Sequence, residues 1–322
     1  MTVTSRIKAD IWRVMQATGL EVSIRSAKSD FAAIAPSAPL PIDMDELQRL
    51  SKVYRSHPLH EVQGLEVWKK RAEFDPDLKG IDTSNFRAHN AYVWQANYSA
   101  VDYALSALWA ERLDSFGMLE KTSEDGAFGA QCIRMNDRLW SRDLMDSILE
   151  LTFLTDHLPA GYLEEKKVID IGAGYGRLAH RLAEITANGN LYCTDGIALS
   201  TMLCRAYLRF RRLESRVSVL NLSDISGFTD NVDLAINVHS FSEMSVEAVC
   251  WWLDWLVERQ VHYLFIVPNK PGPALNDQTS LMPLLAARGF TLEAQRSKYE
   301  DPLVGKFALH QATYYLFGRT QR

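Results

Sequence analysis

The chain has 322 residues, 47% hydrophobic and 23% charged, with 35 basic against 40 acidic residues and a net charge of −5. That length accommodates one large α/β domain plus an accessory region of about 150 residues. A mildly acidic chain has no electrostatic footprint for phosphate backbones, which argues against nucleic acid as a partner and favours a small polar molecule.

The first residues, MTVTSRIKADIW, lack the apolar core of a signal peptide. The greasiest run, Val249 to Val267, carries Asp254, Glu258 and Arg259, and no stretch reaches the roughly 18 apolar residues of a membrane span. A soluble, cytoplasmic protein without a membrane partner is expected. Cys132, Cys193, Cys204 and Cys250 show no C-x-x-C or metal-ligand spacing and read as small hydrophobes of a reducing compartment.

In chain order, Pro39 and Pro41 stiffen a connector at SAPLPID, residues 37–43. From Met44 to about His157 apolar residues recur at helical spacing, broken by the turn-rich KTSEDGAFG, residues 121–129. A helix from about Ser141 to His157 ends before Pro159 and Gly161. Residues 1–158 therefore read as a mainly helical cap or substrate region. Beyond it, short apolar strands alternate with helices. VIDI (Val168–Ile171) is a buried parallel strand, and Leu178, Leu182 and Ile185 share one face of the helix that follows. LYCTD, RVSVLNL, DLAINV and HYLFIV supply the next strands, with a Trp-rich helix before the last of them. Two late strands fall near Phe290 to Gln295 and Thr313 to Phe317. Residues 159–322 are thus expected to form an α/β, Rossmann-like, seven-stranded doubly wound sheet.

The strongest motif is Asp170-Ile171-Gly172-Ala173-Gly174-Tyr175-Gly176-Arg177 at a strand-to-helix junction. Its G-x-G-x-G spacing is not the G-x-G-x-x-G that cradles a dinucleotide pyrophosphate. It suits S-adenosylmethionine, whose amino-acid part and sulfonium carry no phosphate. Asp170 can take the cofactor's amino group. Asp195, at the end of the second strand, can accept both hydroxyls of a ribose, as a carboxylate does with a vicinal diol. Gly196 and Asn237 fall at the neighbouring strand ends, and Asp224, just after the third strand, either meets the adenine amino group or is a solvated loop residue.

Methyl transfer is an in-line displacement, and a hydroxyl acceptor must also lose a proton. After the fourth strand the chain reads Asn237-Val238-His239-Ser240-Phe241-Ser242-Glu243-Met244. His239 is a candidate general base because imidazole titrates near neutrality, or a strand-end histidine that only packs. Glu243 can orient that imidazole or merely favour the first turn of the next helix. The aromatic stretch around His89 holds Tyr92 and Gln95, which either form a lid over the cofactor or belong to a buried helix face.

The glycine loop, its strand and Asp195 resemble class I S-adenosylmethionine-dependent methyltransferases. NVHSFSEM, together with EDGAFG and SRDLMDSILELTFL, further resembles a bacterial family of sugar O-methyltransferases, over residues 90–269. That resemblance implies an enzyme acting on a sugar or glycoside hydroxyl, with His239 and Glu243 as the active-site pair. It also makes Glu124, Asp125, Arg142 and Asp143 candidates for shaping the acceptor site. Asn269 can touch the acceptor, although the loop VPNKPGPALND carries prolines that set its shape apart. An acceptor on nitrogen, a non-sugar hydroxyl, or an inactive cofactor-binding scaffold are the alternatives. No metal is expected, since carboxylates do not cluster. Trp251, Trp252 and Trp255 suit either the core or a homo-oligomer interface.

Overall fold

The computed structural model describes residues 31–59, 82–88, 92, 98–269, 272–275 and 277–319. Its centre is a seven-stranded mixed sheet flanked by helices. The strands are β3 (Val168–Ile171), β4 (Leu191–Thr194), β5 (Val217–Leu220), β6 (Leu234–Val238), β7 (Tyr263–Val267), β8 (Phe290–Ser297) and β9 (Thr313–Arg319), in the spatial order β5-β4-β3-β6-β7-β9-β8. Strands β3 to β7 pair in parallel, whereas β9 is antiparallel to both neighbours.

Continuous apolar composition makes these parallel strands, because both faces of the sheet are covered. Every residue of β3 is buried. Val168 faces a cluster with Leu191, Leu234 and Leu316, while Ile169 and Ile171 face a second with Ala235, Leu264 and Phe317. The first face is packed by α2 (Ala100–Leu113), α3 (Arg142–His157) and α4 (Arg177–Ile185). The second receives α1 (Met44–Arg55) and α6 (Val246–Glu258), and α5 (Ala198–Phe210) contributes to both. The Trp-rich helix is α6, where Trp252 and Trp255 are buried in the second cluster.

One feature departs from the expected layout. Within the stretch expected to be helical, β1 (Cys132–Met135) and β2 (Arg138–Ser141) form an antiparallel hairpin. Its turn is Asn136-Asp137, both at positive φ (50° and 60°), the backbone that a two-residue hairpin requires and these residues tolerate. The last strand, β9, enters between β7 and β8, so chain order and sheet order diverge at that edge.

The helix α3 starts at Arg142, capped by Ser141, whose hydroxyl accepts from Leu144 N–H. It shares the first cluster with α4 and the sheet, which fixes its first turn beside the carboxyl ends of β3 and β6. Among the described residues no helix is long and apolar enough to cross a membrane.

Candidate active site

At the carboxyl ends of β3, β4 and β6 lies a cleft of about 700 Å³, within the range of small-molecule sites. One wall is the glycine loop. Gly172 adopts φ +77°, and a Cβ there would overlap the Ser240 side chain. The backbone N–H groups of Gly172 and Ala173 both donate to Thr194 O (2.9 and 3.1 Å), pinning the loop to the end of β4. Gly174 N–H donates to Asp195 Oδ2 (2.9 Å), and Ile197 N–H donates to Asp195 Oδ1 (2.8 Å). Asp195 is thereby aimed along the cleft, which Gly196 also lines.

Asp170, one residue before the end of β3, is 7% exposed and lines the same cleft. Among the described residues no side chain or backbone group donates a hydrogen bond to its carboxylate. Burial lifts it to about 7; Arg177 opposes that rise, while Glu150 and Asp195 add to it. Burial lifts Asp195 to about 7 as well, against the two loop N–H groups that favour its anion, with Glu243 adding to the rise. Two poorly solvated carboxylates so placed favour a cationic ligand.

Across the cleft, His239 follows β6 in a positive-φ conformation (67°, −32°), and its backbone N–H donates to Val267 O at 2.7 Å. A non-glycine residue held there signals a conformation imposed by its surroundings. The imidazole lines the cleft, and among the described residues its enclosed Nδ1 has no hydrogen-bond partner. Burial, with Arg142 and Arg177 nearby, pulls its pKa down to about 3. The orienting contact expected from Glu243 is not formed at Nδ1: Glu243 Oε1 instead accepts from Asn269 Nδ2 (3.1 Å). Both residues line the cleft.

Tyr92 and Tyr175 line the cleft too, ring against ring at 5.9 Å, and Tyr92 shares a hydrogen bond with Ser200 (3.2 Å). The Tyr175 hydroxyl donates to Asp143 Oδ2, which also takes Arg87 Nε at 2.7 Å. Arg142 and Asp143 face the cleft from the first turn of α3. Gln95 lies outside the described residues.

Other expected site residues are placed elsewhere. A Cβ on Gly176 would come 2.8 Å from Cys204 Sγ, so this glycine admits α5 rather than a ligand. Asn237 is fully buried, donating to Ile171 O (2.8 Å) and accepting from Phe241 N–H (2.7 Å); it sets the loop after β6 without reaching the cleft. Asp224 is exposed and accepts from Asn221 Nδ2 (2.7 Å). Glu124 is buried between Arg87 and Arg181 (2.7 and 3.0 Å), and the Ser141 hydroxyl also donates to it. Burial opposes its charge, yet these partners hold it well below the carboxylate range. Asp125 pairs with Arg211 at the surface.

The cleft also contains residues that the sequence did not single out. Arg177, at the start of α4, is held by Glu150 in a bidentate pair (2.9 and 3.0 Å). Asp146, four residues after Arg142, accepts from Arg142 Nε at 3.1 Å and from Lys298 Nζ. Tyr98, Ser240 and His310 complete this part of the wall. The i, i+4 spacing of Arg142 and Asp146 was a readable signal; His310 had none. Among the described residues no group of three or more His, Cys, Asp or Glu is arranged to hold a metal.

Residues 133–244, about a third of the chain, match the family model of the methyltransferase small domain. No curated protein matches the chain significantly. Among solved structures the chain is similar to magnesium protoporphyrin IX methyltransferase from Synechocystis PCC 6803 with bound S-adenosylmethionine, at 14% identity, covering 67% of this chain and 97% of that one, with a TM-score of 0.42. It is also similar to TrmK of M. capricolum in complex with S-adenosylhomocysteine (13% identity, 48% and 63% covered, TM-score 0.34). A third likeness is to the pyocyanin biosynthetic protein PhzM (15% identity, 55% and 56% covered, TM-score 0.39). Likenesses this distant assign neither acceptor nor reaction. The family match on this sheet supports a class I S-adenosylmethionine-dependent methyltransferase.

Proposed function

We propose that the chain transfers a methyl group from S-adenosylmethionine to a hydroxyl of a sugar or glycosylated small molecule, with His239 as the general base. The observation that carries this reading is the division of one cleft between two chemistries: buried carboxylates at the ends of β3 and β4, and after β6 an imidazole whose Nδ1 has no hydrogen-bond partner among the described residues. The cofactor supplies, when bound, a methyl group on a sulfonium leaving group.

The residues present fit it. Asp170, without a donor among the described residues, suits the ammonium of the cofactor's amino-acid end. Asp195 keeps lone pairs for a ribose diol after accepting two loop N–H groups. Gly172 and Gly174 let the backbone approach closely.

His239 is neutral at physiological pH and therefore always ready to accept a proton. With its pKa near 3 it is a weak base in the ligand-free cleft. Such a base acts late, since the acceptor oxygen becomes strongly acidic only as its new bond to carbon forms. The same weakness favours a second reading, an acceptor nitrogen or a non-sugar hydroxyl that reacts without strong base assistance. Conversion to S-adenosylhomocysteine across a panel of sugars and glycosides, with His239→Ala alongside, tests both. Acceptor-dependent turnover that drops on the order of 10²-fold or more in the variant supports the base. Turnover that persists removes His239 from the proton transfer, and a bound cofactor with no sugar methylated removes the sugar.

A further inference from the structure

We infer that Tyr54 of α1 is a positioning residue for the cofactor: acting through Thr201, it fixes the turn that aims the Asp195 carboxylate at the ribose diol. This rests on the methyltransferase reading above and adds to its cofactor site a residue from outside the sheet.

Helix α1 turns Leu47, Leu50 and Tyr54 into the second cluster, an i, i+3, i+7 stripe on one helical face. The two leucines bring only apolar surface, whereas Tyr54, 2% exposed, carries a hydroxyl into that core. A buried hydroxyl needs partners, and this one finds two that are remote in the chain. Leu222 N–H, at the start of the short helix Leu222–Ile225 after β5, donates to it at 2.8 Å. Thr201 Oγ1, in the first turn of α5, lies 2.9 Å away. These partners stand 168 and 147 residues from Tyr54.

Thr201 Oγ1 in turn reaches two backbone carbonyls, Ile197 O at 3.3 Å and Asp195 O at 3.5 Å. One direction gives every proton an acceptor: Leu222 N–H to the phenol oxygen, the phenol O–H to Thr201 Oγ1, and the Thr201 O–H to those carbonyls. Burial lifts the phenol to about 12, so it keeps the proton it shares. The relay ends on the turn that holds the site, because Ile197 N–H donates to Asp195 Oδ1 (2.8 Å). That turn has no restraint of the usual kind. The N-cap of α5 is Ile197, whose side chain makes no capping bond, so Thr201 and Tyr54 secure the helix start from the core side. A second tie joins the same elements, since Arg205 of α5 donates to Asn221 Oδ1 (2.5 Å) and to Glu46 of α1 (3.3 Å). Its ion pair is 31% and 47% exposed and contributes little, which leaves the buried phenol as the decisive link.

The test is calorimetric titration with S-adenosylhomocysteine and with its 2′,3′-dideoxy analogue, which lacks the diol. The wild-type protein is expected to prefer the intact ribose by about 30-fold or more, as hydrogen bonds to a carboxylate are at stake. In Tyr54→Phe, which keeps the ring, that preference shrinks by about fivefold or more. Thr201→Val shrinks it likewise and reads the same link if Tyr54→Phe fails to fold, while Thr201→Ser, which keeps the hydroxyl, retains it. A role confined to stability shifts both affinities together and leaves their ratio unchanged. A preference that survives in Tyr54→Phe or Thr201→Val therefore overturns the inference, as does its loss in Thr201→Ser. Equal binding of the two ligands by the wild-type protein also overturns it, since Asp195 then does not hold the diol, but the methyltransferase reading stands. Failure of the wild-type protein to bind S-adenosylhomocysteine sinks that reading itself, a separate outcome.

Discussion

Asp170→Asn should make the ligand-free protein more stable while weakening its grip on the cofactor. The carboxyl titrates near 7 in the fold against about 3.9 in an unfolded chain. A raised folded value means that the native state binds the proton more tightly. The stability contributed by this group is therefore present at low pH and lost as pH rises from the unfolded value through 7. At about 1.4 kcal/mol per unit, keeping the ionised form buried costs up to about 4 kcal/mol at pH 8 and about 1.5 at pH 5. The carboxylate borders an open cleft, so half of that ceiling is the better expectation: a gain of about 2 kcal/mol for the amide at pH 8, or roughly 4 °C in Tm. Thermal unfolding at pH 5 and pH 8 reads this directly, and the gap between variant and wild type should narrow at the lower pH. In the same samples, saturating S-adenosylhomocysteine should raise the wild-type Tm and leave the variant nearly unmoved. A variant that is less stable than wild type at pH 8, or that binds the ligand equally well, would refute the assignment of Asp170 to a cationic ligand.

Affinity for S-adenosylhomocysteine should fall between pH 7 and 5.5, because its ammonium persists there while Asp170 and Asp195, both near 7, take up protons. Linkage gives about fifteenfold for one carboxyl and on the order of 200-fold for both, measurable by calorimetry; a flat profile would remove both from the site. Gly172→Ala places a Cβ against Ser240 at φ +77°, and should cost about 1–3 kcal/mol in denaturant unfolding together with most of the cofactor affinity. Glu124→Gln leaves Arg87 and Arg181 under-compensated in the interior and should cost about 3–5 kcal/mol. Asp125→Asn, whose pair with Arg211 sits at the surface, should stay within about 1 kcal/mol in the same assay.

The contrast between Glu124 and Asp125 shows where sequence ceases to be informative. Adjacent in an acidic turn, they are indistinguishable by pattern, yet the first is buried by partners at positions 87, 141 and 181. Those contacts depend on how the hairpin, α3 and α4 assemble. The cofactor side was legible because its determinants are local. A buried strand, a turn needing left-handed backbone and a helix start follow one another without interruption, and the parallel pairing of β3 with β4 delivers Asp195 to the loop. Even there, spacing alone made Gly176 look like a ligand residue, whereas its missing side chain admits Cys204 of α5. Asp224 failed for the opposite reason: a strand end fixes a backbone position, but Asn221 and solvent decide where the carboxylate points.

The acceptor end has no such local grammar. Arg142 comes from α3, His239 from the loop after β6, Lys298 from the end of β8 and His310 from the turn before β9. They meet only because β9 inserts between β7 and β8, an order that strand prediction does not reveal. A histidine that stands out for its ordinary pKa is therefore held neutral, first by its burial in the assembled cleft and then by Arg142 and Arg177, neither of which the sequence places beside it.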